Sequence, residues 1–196
     1  MMSSLKEMLS KSDYDWYREE FNQTEQKKLS SHEMDDIIRK SIKSAEDVFE
    51  NAKEDLNVMG SVGMVEHYGT KVSFNTENDS NRLIAMYDRR ENMLIIFNHS
   101  IDTLHERIKQ AGMSRILDKD TLRDLIIAHE LYHIIEMNEE DVFTYSKFYE
   151  TKILGFTRKN RLATASEIGA FHFSKIVTGV NFSPCIIGSL QDITDK

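Results

Sequence analysis

The chain is short of the residues that break or staple a polypeptide. It holds 1 proline and 8 glycines in 196 residues, together about 5% where about 12% is ordinary. So few turn formers argue against a β-sandwich or barrel of many short strands and point to long helices. A single cysteine, Cys185, excludes an internal disulfide framework and any cysteine-based metal site. No apolar run approaches the ~20 residues that a membrane-spanning helix needs, so an integral membrane protein is not expected. Basic residues are outnumbered, 25 against 33 acidic, for a net charge of -8. Nucleic-acid binders usually carry a basic face or stripe, so direct contact with nucleic acid is not expected either. Lys6 and Glu7 stand where a signal peptide would carry its apolar stretch, and a reducing, cytoplasmic setting is the expectation.

What is present is helical periodicity interrupted by a short β region. Residues 1–30 are polar and mixed apart from Tyr14, Trp16, Tyr17 and Phe21, a cluster that can cap a core as a short helix, and the segment as a whole is a candidate mobile cover over the cleft. Ser30 and Glu33 fit an S-x-x-E capping box. Met34, Ile37, Ile38, Ile42, Ala45, Val48, Phe49, Ala52 and Leu56 then recur at helical spacing. This predicts one amphipathic helix over 31–58, ended by Gly60 and packed on the domain through Ile38, Ile42, Val48 and Phe49. From 62 to 98 the pattern shortens to strands, with Leu83–Tyr87 and Met93–Phe97 as a hairpin. Helices follow over 100–111, from Asp120 to Met137, over 139–153 and from Ala163 to Thr178 with Gly179 beyond its end, and Arg158 to Arg161 reads as a basic connector. The order predicts an α+β fold, with a small antiparallel or mixed sheet from the middle third packed on a helical core.

The chemistry lies in His129-Glu130-Leu131-Tyr132-His133, an H-E-x-x-H run within a helical pattern. Residues four apart leave a helix on one face, one turn apart, so both imidazoles can grip one ion. A chain of this composition would contain the motif by chance about 0.02 times. Leu125, Ile126, Ile127, Ala128, Leu131, Ile134 and Ile135 make this helix apolar nearly all round, so it should be central. Neutral imidazole suits Zn²⁺, and Glu130 beside it is placed to act as a general base.

A catalytic zinc site has three protein ligands. Glu167, on the helix over 163–178, is the best third candidate, although Thr164-x-x-Glu167 also spells a capping box. His172 lies about 140° around the same helix from Glu167, and Glu136, three residues after His133, suits a hydrogen-bonding partner to that imidazole better. His99 and His105 lack a ligand spacing, and His32 and His67 read as surface residues.

With these residues in order, the sequence resembles the ImmA/IrrE family of zinc metallopeptidases, a gluzincin-like group. The resemblance is carried by the helix Ala45–Val58, the strand Leu94-Ile95-Ile96-Phe97 followed by Asn98, the segment Ile127 to His133, and Glu167-Ile168-Gly169-Ala170-Phe171. It covers about residues 45–185 and implies a zincin-like metallopeptidase domain over 45–196, with 1–44 as an N-terminal helical extension. In that family the glutamate of an E-x-x-A segment is the third zinc ligand, and Glu167 with Ala170 matches it. The resemblance further implies a specific protein substrate, such as a transcriptional regulator or repressor.

Two departures stand out. Tyr132 replaces a small residue, which would put a phenol beside the metal, either narrowing the cleft or donating to an oxyanion. No helix-turn-helix segment is found. The expected function is therefore a cytoplasmic zinc peptidase with His129, His133 and Glu167 as ligands and Glu130 as base. Tyr132, Tyr145, Tyr149 and His172 are candidate oxyanion stabilisers. The alternative is a non-catalytic binding protein on a zincin fold, its metal structural or lost.

Overall fold

Three short helices, α1 (Leu5–Ser10), α2 (Asp13–Glu19) and α3 (Gln23–Gln26), open the chain. The computed structural model describes residues 5–76, 83–113, 116–139, 141–146, 148–153 and 156–192, with side chains at 5–6, 23–24, 148–160 and 191–192 outside the description. The opening helices are not a loose cover. Trp16, Tyr17 and Phe21 are buried in the hydrophobic core at 6%, 0% and 1% exposure. Polar ties fix the segment further: Lys175 Nζ donates to Asp13 at 2.5 Å and Thr164 Oγ1 donates to Glu25 at 2.7 Å. Aromatic burial outweighs the polar face that suggested mobility.

The expected capping box is formed at Ser30. Ser30 Oγ accepts the Glu33 backbone N–H and the Glu33 carboxylate accepts the Ser30 N–H at 2.7 Å. From it runs α4 (Ser31–His67), which buries Ile37, Ile38, Ala45, Val48, Ala52 and Leu56, with Ile42 and Phe49 partly covered. It carries the chain across residues 44 and 45 without a break. Gly60 ends the first helical stretch, as expected. The backbone there takes φ 67° and ψ 177°, a kink after which helical structure resumes. Residues 62–67, expected as strand, are thus helical, because Met64 and Val65 turn into the core.

The sheet comprises β1 (Lys71–Asn75), β2 (Ala85–Asp88) and β3 (Met93–Phe97), in the order β1-β3-β2. β1 is parallel and β2 antiparallel to β3, so the sheet is mixed. Ala85 pairs with Ile96 and Tyr87 with Leu94, placing Ala85 and Tyr87 on the face where Leu94 and Ile96 are fully buried.

After α5 (Asn98–Gln110), the sequence places a cap at Asp120, but the cap of α6 (Lys119–Asn138) is Asp118, its side chain accepting the Thr121 backbone N–H. This helix is central as expected, packing on α4, α5 and β2 and on two later elements, α7 (Phe143–Ser146) and α8 (Ala163–Thr178). The helix expected over 139–153 is absent. In its place come α7 and an antiparallel hairpin of β4 (Phe148–Ile153) and β5 (Phe156–Arg161), so the basic connector is strand. α8 ends as read, with Gly179 left-handed at φ 70°, and α9 (Ile186–Asp192) closes the described chain. The fold is mixed α+β and mostly helical. No described helix is long and apolar enough to cross a membrane.

Gly60 tests the kink. A Cβ there would meet nothing within 4 Å, so the penalty for a side chain is purely one of backbone conformation. Buried Met64 and Val65 prevent the helix from straightening to relieve it. Gly60→Ala should therefore lower stability by about 1–3 kcal/mol, read as a shift in the urea midpoint at unchanged slope. Equal or greater stability would mean that the kink is not enforced by packing.

Candidate metal centre

Helix α6 presents His129 and His133 one turn apart, and α8 brings Glu167 against them. His129 Nε2 and His133 Nε2 lie 3.2 Å apart. Glu167 Oε2 is 3.3 Å from His129 Nε2, and its Oε1 is 3.6 Å from His133 Nε2. Three ligands at ~2.0–2.1 Å on a tetrahedral Zn²⁺ stand ~3.3–3.4 Å from one another. The observed separations, 3.2–3.6 Å, are close to that figure, with a different oxygen of Glu167 nearest each imidazole. The donor set, two imidazole nitrogens and one carboxylate oxygen, is also one that zinc accepts, and among the described residues these three form the group able to hold an ion.

The capping alternative for Glu167 is not what the structure holds. α8 starts after Leu162 with no side-chain cap, and the Thr164 hydroxyl is turned to Glu25. Glu167 is free to face the imidazoles. Its helix comes close because of Gly169, where a Cβ would lie 2.5 Å from Tyr132 Oη.

Behind His133 stands a buried polar cluster. Glu136, 1% exposed, places Oε2 at 3.2 Å from His133 Nδ1. Ser166 Oγ donates to the same Oε2 at 2.5 Å and lies 3.0 Å from His133 Nδ1. Thr144 Oγ1 donates to Glu136 Oε1, and Arg161 Nη2 donates to Oε2 at 3.3 Å. A carboxylate only accepts, and the Ser166 proton is already given to Glu136. Both neighbours of Nδ1 thus act as acceptors, and Nδ1 carries the proton. In the neutral ring, Nε2 then turns its lone pair toward His129 and Glu167, as a metal ligand must.

The charges reinforce one another. Burial disfavours the His133 cation, but the Glu136 hydrogen bond and the charges of Glu167 and Glu130 outweigh it and raise the pKa. Burial pushes Glu136 up, and its bonds from His133, Ser166 and Thr144 reverse this, holding it below the usual carboxylate range. Glu167 is likewise drawn down, against burial, by the His129 hydrogen bond and the charges of His129, His133 and Arg161.

Two cavities flank the group. One, of about 190 Å³, is apolar and lies against His129 and Phe171, whose rings are 4.8 Å apart. The other, of about 300 Å³, is mixed in lining, with several charged side chains, and lies against His133 and Glu167. Glu130 lines both, beside the cluster but outside it.

The oxyanion candidates fare differently. Tyr132 is fully buried behind the centre, its Oη 2.9 Å from Thr144 Oγ1 and 3.3 Å from Ser44 Oγ, with burial pushing its pKa up to about 12. It narrows no cleft. His172 Nδ1 lies 3.2 Å from Tyr17 Oη, and its ring packs edge-on to Tyr17. Tyr145 is exposed, its ring under the Arg161 guanidinium at 4.5 Å. The Tyr149 side chain lies outside the described residues. Tyr87, Arg89 and Arg161, which sequence reasoning did not single out, do line the larger cavity. Tyr87 could have been found from its alternation with Ala85 on the inner face of β2, whereas Arg161 looked like part of a solvated basic run.

Metal uptake should follow from this electrostatic arrangement. A raised His133 pKa means that the metal-free ring keeps its proton above the ordinary ~6.5, and zinc must displace it. Affinity should rise with pH until His133 is neutral and fall by more than tenfold from pH 8 to pH 6, measured by competition with a chromogenic chelator. Ser166→Ala should weaken zinc about 10–100-fold by loosening the support of His133. Pale or pH-independent binding in the unaltered protein would contradict the geometry. No protein-family model, no curated protein and no solved structure matches this chain, so the reading of the centre rests on its own distances and donor chemistry.

Proposed function

We propose that the chain is a zinc-dependent metallopeptidase with a zincin-like domain, hydrolysing a peptide bond in a specific cytoplasmic protein. The observation that carries this reading is the cluster of three potential metal donors, His129, His133 and Glu167, with a further glutamate, Glu130, lining the cavities on both sides. Structural zinc sites are closed by four protein ligands, whereas hydrolytic sites keep a corner for water. Three donors with side chains 18%, 23% and 45% exposed support the open kind over a structural metal.

His129, His133 and Glu167 would hold the ion, which when bound supplies an acidified water, pKa toward ~7, and polarisation of the scissile carbonyl. Glu130 takes the proton as the water oxygen joins the carbonyl carbon. It returns that proton to the amine nitrogen as the C–N bond breaks, so one water is consumed and no other reactant is needed. Glu136, with Ser166 and Thr144, holds the His133 ring and its tautomer through both steps. Phe171 and the apolar cavity wall shield the His129 side from solvent. The resemblance to the ImmA/IrrE family supports a protein substrate of the regulator or repressor type.

Glu130→Gln separates catalysis from metal binding. The amide keeps the shape but cannot accept the proton, and general-base catalysis is worth about 10²–10⁴-fold. Zinc content and melting temperature should match the unaltered protein, while His129→Ala and Glu167→Ala should lose metal and activity together. Terminal-peptide mass spectrometry on cells producing each variant provides the readout. New protein N-termini should appear with the unaltered chain and vanish with Glu130→Gln. Equal cleavage by both would sink the mechanism.

A further inference from the structure

The two cavities beside the centre differ in chemistry. The smaller is walled by Ile84, Leu125, Ile126, Phe171, Pro184 and Ile187. The larger carries two guanidinium groups, Arg89 just beyond β2 and Arg161 at the end of β5, together with Tyr87.

Arg161 is held in a fixed pose. Its Nη2 donates to Glu136 Oε2 at 3.3 Å and to Ser166 Oγ at 3.5 Å, and its plane stacks on the Tyr145 ring at 4.5 Å. Among the described residues it hydrogen-bonds through Nη2 alone. A guanidinium offers five N–H donors in a rigid fork, so Nε and Nη1, with no partner among the described residues, can receive a ligand. Arg89 is exposed, and its described contact is Met137 Sδ at 3.9 Å. No described carboxylate pairs with it. Of the three glutamates in the cavity wall, Glu136 is enclosed by its own donors and Glu167 faces the imidazoles. Arg161 is paired on one side with Glu136, and Arg89 has no carboxylate partner among the described residues.

We propose that this cavity is an anionic subsite in which Arg89 and Arg161 receive a substrate carboxylate next to the scissile bond. The proposal rests on the metallopeptidase reading and names its substrate class: a peptide with an apolar residue on one side of the bond and a carboxylate on the other. The fork of Arg161 matches a carboxylate in two parallel hydrogen bonds. A chain with a net charge of -8 needs such a local cationic pair to accept an acidic peptide. The carboxylate can be an Asp or Glu side chain or the free end of a chain, and the two sources share this chemistry.

The test uses zinc-loaded full-length protein and peptide hydroxamates in both orientations about the hydroxamate. One pair differs as Asp against Asn at the adjacent residue. A second pair differs as a free C-terminal carboxylate against a carboxamide. Calorimetry should show a preference of about tenfold or more for the charged member of at least one pair, and the pair that shows it identifies the source. Arg89→Gln and Arg161→Gln should each reduce the preference and together abolish it, with Arg161→Lys retaining part of it. Arg89→Gln touches no buried group, which keeps the test independent of folding. Acetohydroxamate, too small to reach Arg89, should bind Arg89→Gln and the unaltered protein alike. The Arg161 side chain also supports Glu136, so for its variants each preference is taken as the ratio within a pair at matched zinc content. Equal binding within both pairs, or a preference that survives the double substitution, overturns the subsite alone. Failure of every hydroxamate to bind overturns the metallopeptidase reading and the subsite with it.

Discussion

A carboxylate almost wholly removed from water, Glu136, sets the terms for the rest of the structure. Burying an ionised group costs several kcal/mol unless it is paired and hydrogen-bonded. Glu136 meets that demand with donors from other elements: Thr144 on α7, Ser166 on α8 and Arg161 on β5, beside His133 on its own helix. Each partner has to be delivered to one point. The chain after α6 therefore cannot continue as a helix away from the core. It turns back through α7 to bring Thr144 in, then runs out and returns along β5 to end at Arg161, immediately before α8 places Ser166.

The second constraint is the close approach of α6 and α8. Tyr132 fills the space over Gly169, where any Cβ would collide with the phenol ring, and its hydroxyl joins the cluster at Thr144. The residue that looked like an obstruction beside a metal is instead the support behind it. Its side chain leaves α6 on the face that packs against Ser44 of α4, Thr144 of α7 and Phe173 of α8.

Much of this was legible in the sequence because it depends on local periodicity. The spacing of His129 and His133, the capping box at Ser30, the left-handed Gly179 and the apolar surface of α6 all follow from a regular helix and its ends. Glu167 was legible because a helix with small residues invites close packing. What escaped depends on contacts distant in sequence. Gly60 was legible as the end of the long helix, but the helical stretch after it was not, since nothing local shows that Met64 and Val65 have a core to enter. Residues 148–153 are rich in aromatic and β-branched types and precede Gly155, which is a hairpin signal. Their partner strand, however, looked like a charged connector, so the pairing could not be seen. The aromatic cluster was legible as a cap on a core, but not its partners, since α2 packs on α4 and Tyr17 meets His172 of α8, 155 residues away.

This division between local and distant determinants also runs through the centre itself. The positions of His129, Glu130 and His133 relative to one another are fixed by α6 alone. Glu130 lies 100° around the helix from His129, which puts it at the rim and keeps it out of the ligand cluster without any bond to hold it. Glu167 depends on the packing of α8 against Tyr132, and the tautomer of His133 depends on the cluster around Glu136. A site built this way keeps its base and two histidines at fixed positions on one helix even when tertiary packing loosens. It loses its third ligand and its ring orientation first. Metal retention is accordingly the property that reports on the core, and the alignment of Glu130 is the property that reports on the helix.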